Sequence, residues 1–267
     1  MTASFRRFIL LSILGLFIAF LYGPTLTILV LSFQGPDGGL TFPMNGFSVH
    51  WFRRLFETQA VGDFGGSLTR SFALATMVML TTVVVSLAAG MAFRRRFKGA
   101  GALFTLSVAS LIIPSILVSL GIGLLFNQLG LDPDWYSSAF GAQLTWTLPF
   151  GLLIMFAVFN RFNRAWEEAA RDQGATPWQS FRHVVLPIIA PSVIGIALFG
   201  FTLSYDEFAR TLLTSGSDNT LPLEIFGMTT SVTTPVLYAL GSLTTLFSFV
   251  LILGTLVIVR VLAARRA

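Results

Sequence analysis

Six long apolar runs constrain the fold of this chain more than any other feature of its sequence. They cover approximately residues 8–33, 71–93, 102–126, 139–159, 184–205 and 236–259 of a chain of 267 residues. Each run reaches or exceeds the roughly 20 residues that an α-helix needs to cross a hydrocarbon core of about 30 Å. We therefore predict an all-α polytopic membrane protein with six transmembrane helices. The continuous runs argue against a transmembrane barrel, whose strands alternate over about ten residues.

The charge content excludes a soluble fold. Only 11% of the residues are charged and 54% are hydrophobic, and the mean hydropathy is +0.79, whereas a soluble domain carries about a quarter charged residues. Cysteine is absent, which excludes disulfides and thiolate catalysis. His50 and His183 alone remain as imidazole ligands, so we predict no metal site. The first apolar run exceeds the roughly 7–15 apolar residues of a signal peptide, and we predict a retained helix.

The basic residues predict the orientation of the helices. Short cytoplasmic loops carry an excess of Lys and Arg, and placing both termini inside puts 13 of the 17 basic residues there. The four left outside are Arg53, Arg54, Arg70 and Arg210. Most acidic residues then lie outside, where they either attract a cationic solute or are merely tolerated, since acids contribute little to the rule. We predict a single membrane domain, residues 1–267, with both termini in the cytoplasm.

The inner loop at residues 160–183 contains start and stop signals for two short helices. Asn163 can cap a first helix that carries Glu167 and Glu168 in its opening turns, where the helix dipole favours carboxylates. Gly174 then provides a stop. A capping-box pattern starts a second helix, with Thr176 as N-cap, Pro177 and Gln179. This loop is therefore predicted to present a helix–turn–helix to a cytoplasmic partner.

The same loop carries a spaced motif. Its residues are, in order, Glu168, Ala169, Ala170, Gly174, Val184, Leu186 and Pro187. The motif resembles the EAA signature of permease subunits of binding-protein-dependent ABC importers, with Val184 where that family usually has Ile. The resemblance implies a type I ABC importer permease fold in a bacterial inner membrane.

Three further segments, residues 46–52, 203–208 and 221–225, resemble the spermidine/putrescine permease family of the PotC type. The resemblance implies a substrate of the polyamine class, although permeases for opines and other organic cations share much of the same sequence pattern. One position departs from the family pattern, because Glu207 follows Asp206 where that family has two aspartates. The charge is kept, but the longer side chain leaves the identity of the ligand open.

The resemblance also implies partners. A second homologous permease would form a heterodimer with this chain, two cytoplasmic ATPase subunits would drive it, and a periplasmic binding protein would deliver the solute. The chain itself would not be an enzyme and would hold no cofactor, because it lacks a phosphate-binding Gly-x-x-x-x-Gly-Lys-Ser/Thr loop. ATP and magnesium would be bound by the partner ATPase.

The same resemblance implies roles for the residues of the loop. Glu168 would pair with a basic group of the ATPase, and Ala169 and Ala170 would allow close approach. Gly174 would form the turn of this coupling loop. Leu186 and Pro187 complete the motif where the fifth span begins.

Asp206 and Glu207 follow the fifth apolar run, about 30 Å from its inner end at 1.5 Å per residue. Carboxylates at that depth normally face a cavity or a partner. We predict that they bind or steer the ammonium groups of a polyamine. Two further contacts are predicted, namely Ser204 as acceptor and Tyr205 as aromatic face, and the family resemblance implies Trp51 as a stacking surface. The alternatives are that the acids mark the helix end near Arg210 and that the tryptophan is an interfacial anchor.

Small residues on the third run have two interpretations. Ser115, Ser119 and Gly123 recur at every fourth position, which suits either the close approach of another helix or the lining of a pore. Pro114, just before them, is predicted to bend the helix. Among other classes of protein, an ion-coupled secondary transporter would usually show more helices or an inverted repeat, and a membrane enzyme would show a polar cluster near one interface. Neither pattern is visible in the sequence.

Overall fold

The computed structural model describes residues 3–57, 62–95, 97–231 and 235–264. Within these ranges the regular structure is helical, apart from one isolated antiparallel bridge between Gln34 and Phe47. Three of the basic residues on which the predicted orientation rests lie outside the described residues, namely Arg96, Arg265 and Arg266. The predicted all-α class is confirmed.

Eleven α-helices form the described part of the chain. In order they are α1 (Ala3–Leu31), α2 (His50–Arg54), α3 (Phe64–Phe93), α4 (Ala100–Ala109), α5 (Ser115–Gln128), α6 (Phe140–Arg161), α7 (Ala165–Asp172), α8 (Pro177–Ser180), α9 (Leu186–Tyr205), α10 (Leu221–Ser231) and α11 (Val236–Ala264). Two π-helical turns are also present. Trp135–Ala139 leads into α6, and Phe181–Val185 joins α8 to α9.

Five helical segments among the described residues are long and apolar enough to cross a membrane. They are Ser4–Leu31, Phe64–Phe93, Trp135–Arg161, Pro177–Tyr205 and Val236–Gly254. They correspond to five of the six predicted spans. The prediction of one continuous helix over residues 102–126 was wrong, because α4 and α5 occupy this stretch and the chain leaves the helix between them. Pro114 explains the break, since it has no N–H to donate to the carbonyl of Ser110 and takes an extended conformation (ψ 131°).

Contacts divide the chain into two compact units, the first comprising Met1–Gly65 and Ile225–Phe249. In this unit the loop after α1 is ordered by Gln34, whose side chain accepts from the Asn45 amide (2.7 Å) and donates to the Gly39 carbonyl (3.2 Å). The Tyr238 hydroxyl of α11 donates to the Leu40 carbonyl (2.7 Å). The short helix α2 lies in the same loop.

The second unit comprises Gly66–Glu224 and Val250–Ala267. Its core contains Met155 of α6, Val185 and two buried residues of α9, Ile189 and Ile196. Glycines let the helices approach closely, because a Cβ added at Gly90 of α3 would lie 2.8 Å from the Met155 Cβ. α3, α6 and α9 are therefore packed together in this unit. The prediction of a single domain over residues 1–267 stays a prediction.

Candidate functional site at the two ends of α9

The loop between α6 and α9 begins with an exposed amphipathic helix. The Asn163 side chain accepts a hydrogen bond from the Ala165 amide (3.0 Å), and α7 starts at Ala165. Asn163 therefore bonds to the start of the helix as predicted, but the N-cap position itself is Arg164, one residue later. Glu167 and Glu168 lie in the first turn of α7, where the helix dipole stabilises their charge.

A tight turn and a short second helix follow α7. Gly174 has φ +83°, a conformation that other residues rarely adopt, and its amide donates to the Arg171 carbonyl (2.8 Å). The capping box is formed in both directions, since Thr176 accepts from the Gln179 amide (3.3 Å) and Gln179 accepts from the Thr176 amide (2.8 Å). The predicted helix–turn–helix is thus confirmed.

The second helix of the loop is not separate from the membrane span. α8 continues through the π-helical turn Phe181–Val185 directly into α9, and Pro187 lies in the first turn of α9. Pro187 cannot donate to the carbonyl four residues earlier, which a π-helical turn accommodates. The second helix of the loop is therefore joined to α9 without an intervening non-helical segment.

The structure places the residues of the EAA-like motif in two groups. Glu168, Ala169 and Gly174 are exposed in α7 and its following turn, whereas Leu186 and Pro187 are half-buried at the start of α9. Ala170 is half-buried, and its carbonyl accepts from the Ala175 amide (3.1 Å) across the turn. The exposed group belongs to the part of the loop that a partner can reach.

Glu167 is half-buried, whereas its neighbour Glu168 is exposed. The Glu167 carboxylate forms a two-pronged ion pair with the guanidinium of Arg94, just beyond α3, with one contact at 3.1 Å. The hydrogen bonds from Arg94 hold the pKa of the Glu167 carboxyl below its usual value, against the opposing effect of burial. The sequence did not indicate this pair, because the two residues are 73 positions apart and Arg94 stands in a run of similar basic residues.

At the other end of α9, Glu207 and Arg210 form a buried polar cluster. Glu207 is 8% exposed and accepts from the Arg210 amide (2.8 Å), and its carboxylate lies 4.0 Å from the guanidinium. Arg210 is 2% exposed and donates to the hydroxyls of Ser115 (2.6 Å) and Thr145 (3.2 Å). Its guanidinium carbon also lies 4.6 Å from the centre of the Trp146 ring. Of the two sequence interpretations, proximity of the acids to Arg210 is realised for Glu207.

Asp206 differs from its neighbours because its side chain is exposed. Within the described part of the chain, no hydrogen bond or ion pair holds its carboxylate. Ser204 is buried and donates to the amide oxygen of Gln143, and Tyr205 is buried and stacked on Phe201 with ring centres 5.9 Å apart. Of the four adjacent residues predicted to contact a ligand, Asp206 is thus the one that the structure leaves accessible.

Trp51 lies in the first unit and is 4% exposed. Its ring meets the His50 ring edge-on, with the centres 5.0 Å apart, and the Arg54 guanidinium carbon lies 5.9 Å from its centre. The indole N–H has no hydrogen-bond partner among the described residues. The predicted role of Trp51 as a stacking surface stays a prediction, and it requires the ring to become accessible.

The strip of small residues on α5 is a packing surface for the non-helical segment after α9. The Leu213 amide donates to the Ser119 hydroxyl (2.9 Å), and a Cβ added at Gly123 would lie 2.5 Å from the Leu213 carbonyl oxygen. Together with the bond from Arg210 to Ser115, these contacts seat the segment along α5. Of the two interpretations that the sequence allowed, close approach is the one observed here, but a turn segment rather than another helix makes the contact.

A Gly123→Val substitution is therefore expected to lower the thermal unfolding midpoint, because its side chain would push against backbone that cannot move aside. Overpacking of this kind costs about 1–3 kcal/mol. Gly121→Val is the matched control, since it lies on the same helix and a Cβ there meets no atom within 4 Å. Equal midpoints for the two variants in detergent would contradict the packing role.

Comparison with known proteins identifies the family. Residues 82–267 match the family described as binding-protein-dependent transport system inner membrane component. The spermidine/putrescine transport system permease protein PotC of Haemophilus influenzae is 31% identical over 244 residues, which are 91% of this chain and 93% of that protein. The putrescine transport system permease protein PotI of Escherichia coli K12 is 30% identical over 239 residues, which cover 86% and 83% of the two chains.

Solved structures of low sequence identity share the fold. A chain of a bacterial ABC transporter involved in the import of the acidic polysaccharide alginate aligns with a TM-score of 0.70 at 16% identity, covering 97% of this chain and 98% of that chain. A chain of the MetNI methionine ABC transporter aligns with a TM-score of 0.59 at 17% identity, covering 74% and 95%. These alignments confirm the predicted importer permease fold. The chain therefore belongs to the inner membrane components of binding-protein-dependent transport systems, the multi-pass permease subunits of ABC importers.

Proposed function

We propose that this permease forms half of the pore of an ATP-driven importer for polyamines and works by alternating access. The observation that carries the proposal is the exposed helix–turn–helix of α7 and α8, which holds Glu168 and Gly174 and continues into α9. An exposed loop with ordered caps and two exposed tryptophans, Trp166 and Trp178, is suited to seating in a groove of another protein.

The proposed partner at this loop is a cytoplasmic ATPase, present in two copies. Glu168 would pair with one of its basic groups, and Ala169 would allow the close approach of its backbone. ATP and magnesium would bind to that ATPase, so that closure of the nucleotide sites pulls on the loop and, through α8, on α9. A second homologous permease would complete the pore, and a periplasmic binding protein would deliver the solute.

The polyamine class is supported by chemistry at the other end of α9 and by the relatives. Asp206 offers an exposed carboxylate, which binds an alkylammonium group through a charge-assisted hydrogen bond. Both PotC and PotI are named for the transport of putrescine or spermidine. We propose Asp206 as the first contact. Contact with Ser204, Tyr205 or Glu207 would follow a rearrangement, since all three are buried in this state. Trp51 of the first unit is also buried and would have to become accessible before it could stack on a ligand.

An Asp206→Asn variant is expected to raise the transport KM for spermidine and putrescine by roughly 10- to 100-fold, because a hydrogen bond to a charged group contributes about 1.5–3 kcal/mol. Uptake of radiolabelled polyamine into vesicles containing the assembled importer measures it. Asp218→Asn is the matched control, since Asp218 is also exposed on the segment after α9. An unchanged KM in Asp206→Asn would reject the proposed contact.

Reconstitution tests the function as a whole. The purified importer should hydrolyse ATP faster when its binding protein is loaded with polyamine, and it should accumulate polyamine when ion gradients are abolished by ionophores. Stimulation by an opine-loaded binding protein instead would replace the proposed substrate class. Uptake driven by an ion gradient without the ATPase would overturn the importer mechanism.

A further inference from the structure

The end of α3 is fastened to the α6–α9 loop at a point away from α9. Arg94, the residue that follows α3, pairs with Glu167 of α7 through both guanidinium prongs. The Arg164 guanidinium donates in turn to the Arg94 carbonyl (2.8 Å). The chain beyond α3 therefore holds the start of α7 through both a side chain and a backbone group.

Aromatic rings enclose this ion pair. The Arg94 guanidinium carbon lies 5.1 Å from the ring centre of Phe159 and 5.2 Å from that of Phe162, at the end of α6. The side chains of Arg94 and Glu167 are only 11% and 12% exposed. Partial burial and a cation–π contact strengthen a pair that would contribute little on an open surface.

The opposite end of α3 is bound to the segment that leads from α9 to α10. The Arg70 side chain donates to the Asn219 carbonyl (2.8 Å), and the Leu221 amide donates to the Ser71 hydroxyl (2.7 Å). α3 has 30 residues and therefore spans roughly 45 Å at 1.5 Å per residue. One continuous helix thus connects the loop with the neighbourhood of the segment that follows Asp206.

We propose that Glu167 and Arg94 are positioning residues that make α3 a second mechanical link, beside α9, between the loop and the outer segment at residues 206–220. The proposal rests on the proposed function of the loop as the seat of the ATPase. A displacement of α7 moves the end of α3 through this pair, while the continuous helix from α8 moves α9. Both helices then deliver the displacement to the same segment.

The Glu167 carboxylate stays charged over the working range of pH. The folded-state pKa of Glu167 lies below its ordinary value of 4.5, so its contribution is fully present above that value and is lost only as the pH falls through the lowered one. The link is therefore expected to be independent of pH between about pH 6 and pH 8.

The test compares Arg94→Gln, Glu167→Gln, Arg94→Lys and the exchange Arg94→Glu with Glu167→Arg in the reconstituted importer. The control is Arg95→Gln. Arg95 is exposed and, together with Arg94 and Glu167, lines a cavity of about 230 Å³, but it does not belong to the ion pair. We expect both glutamine variants to lower the polyamine transported per ATP hydrolysed by roughly tenfold. The lysine or the exchange variant should recover most of the loss, and the control should match the wild type.

A second readout does not depend on the substrate. The chain contains no cysteine, so cysteines at the exposed Ala92 and Asp172 can carry spin labels in an assembled importer whose other subunits lack accessible cysteines. The distance distribution between the labels should be narrow in the wild type, broad in Glu167→Gln and narrow again in the recovering variant.

Three outcomes would overturn the link. The first is an unchanged distance distribution between the spin labels in Glu167→Gln. The second is a broadened distance distribution in this variant with a normal amount of polyamine transported per ATP hydrolysed. The third is that neither Arg94→Lys nor the exchange variant restores transport per ATP. Failure of the proposed function has a different signature, because the wild-type importer itself would then not transport polyamine. The spin-label distances would still report whether the pair holds the loop.

Discussion

A Glu207→Gln variant should unfold at a temperature roughly 10 °C below the wild type. This is the largest loss of stability that we expect from replacing a single residue by a neutral one. Glutamine keeps the acceptor for the Arg210 amide but leaves the 2% exposed guanidinium without a counter-charge. Removing one partner of a buried pair costs about 3–5 kcal/mol. The lower figure suits a carboxylate and a guanidinium 4.0 Å apart, and each kcal/mol shifts the midpoint by roughly 2–4 °C.

A double variant separates lost charge balance from lost packing. Glu207→Gln combined with Arg210→Met removes both charges and should regain at least half of the lost stability, because neutral replacement of a buried pair is often tolerated. Asp206→Asn is the control, since the exposed carboxylate next to Glu207 should leave the midpoint unchanged. Thermal unfolding in detergent measures all three variants. An unchanged midpoint in Glu207→Gln would show that Ser115, Thr145 and Trp146 hold the guanidinium without the carboxylate.

Replacing Gly174 by valine together with Glu168→Gln is expected to lower polyamine uptake by 100-fold or more while the permease still reaches the membrane. Gly174 has φ +83°, and a β-branched residue there is a strained outlier that should reorient α8 against α7. Loss of Glu168 removes the proposed contact with the ATPase. Uptake and ATP hydrolysis stimulated by the loaded binding protein should fall together.

Gly99→Val is the matched control for the strained turn. Gly99 has φ +87° and, like Gly174, a Cβ there meets no atom within 4 Å, but it precedes α4 and lies outside the loop. Valine at either position forces a similarly strained backbone, so both changes should lower the stability of the permease by a comparable amount. If Gly99→Val nevertheless keeps normal stimulation of ATP hydrolysis by the loaded binding protein, the loss of uptake in the double variant is due to the loop. Normal uptake and normal assembly with the ATPase in the Gly174 and Glu168 double variant would refute the coupling role.

Local patterns explain why much of the fold was predictable. The length of an apolar run sets whether a helix can span a hydrocarbon core, and five of the six predicted spans correspond to the long helices of the structure. The loop was equally readable, because a capping box and a glycine turn act through residues only a few positions apart. Pro114 indicated a bend, but whether the helix bends or ends depends on the surrounding contacts, and here it ends.

The sequence by itself thus determined the membrane class, the helix–turn–helix at residues 160–183 and the family motif on it, since each depends on neighbours along the chain. Only the tertiary structure decided that Glu207 is held by Arg210 within a buried cluster while Asp206 is exposed, and that Glu167 pairs with Arg94. Two adjacent carboxylates look alike in a sequence. In each adjacent pair, contacts with distant residues make one carboxylate different from the other. Arg94, 73 positions away, pairs with Glu167, and Ser115, 95 positions away, accepts a hydrogen bond from Arg210, the partner of Glu207. These contacts also remove water from the carboxylate.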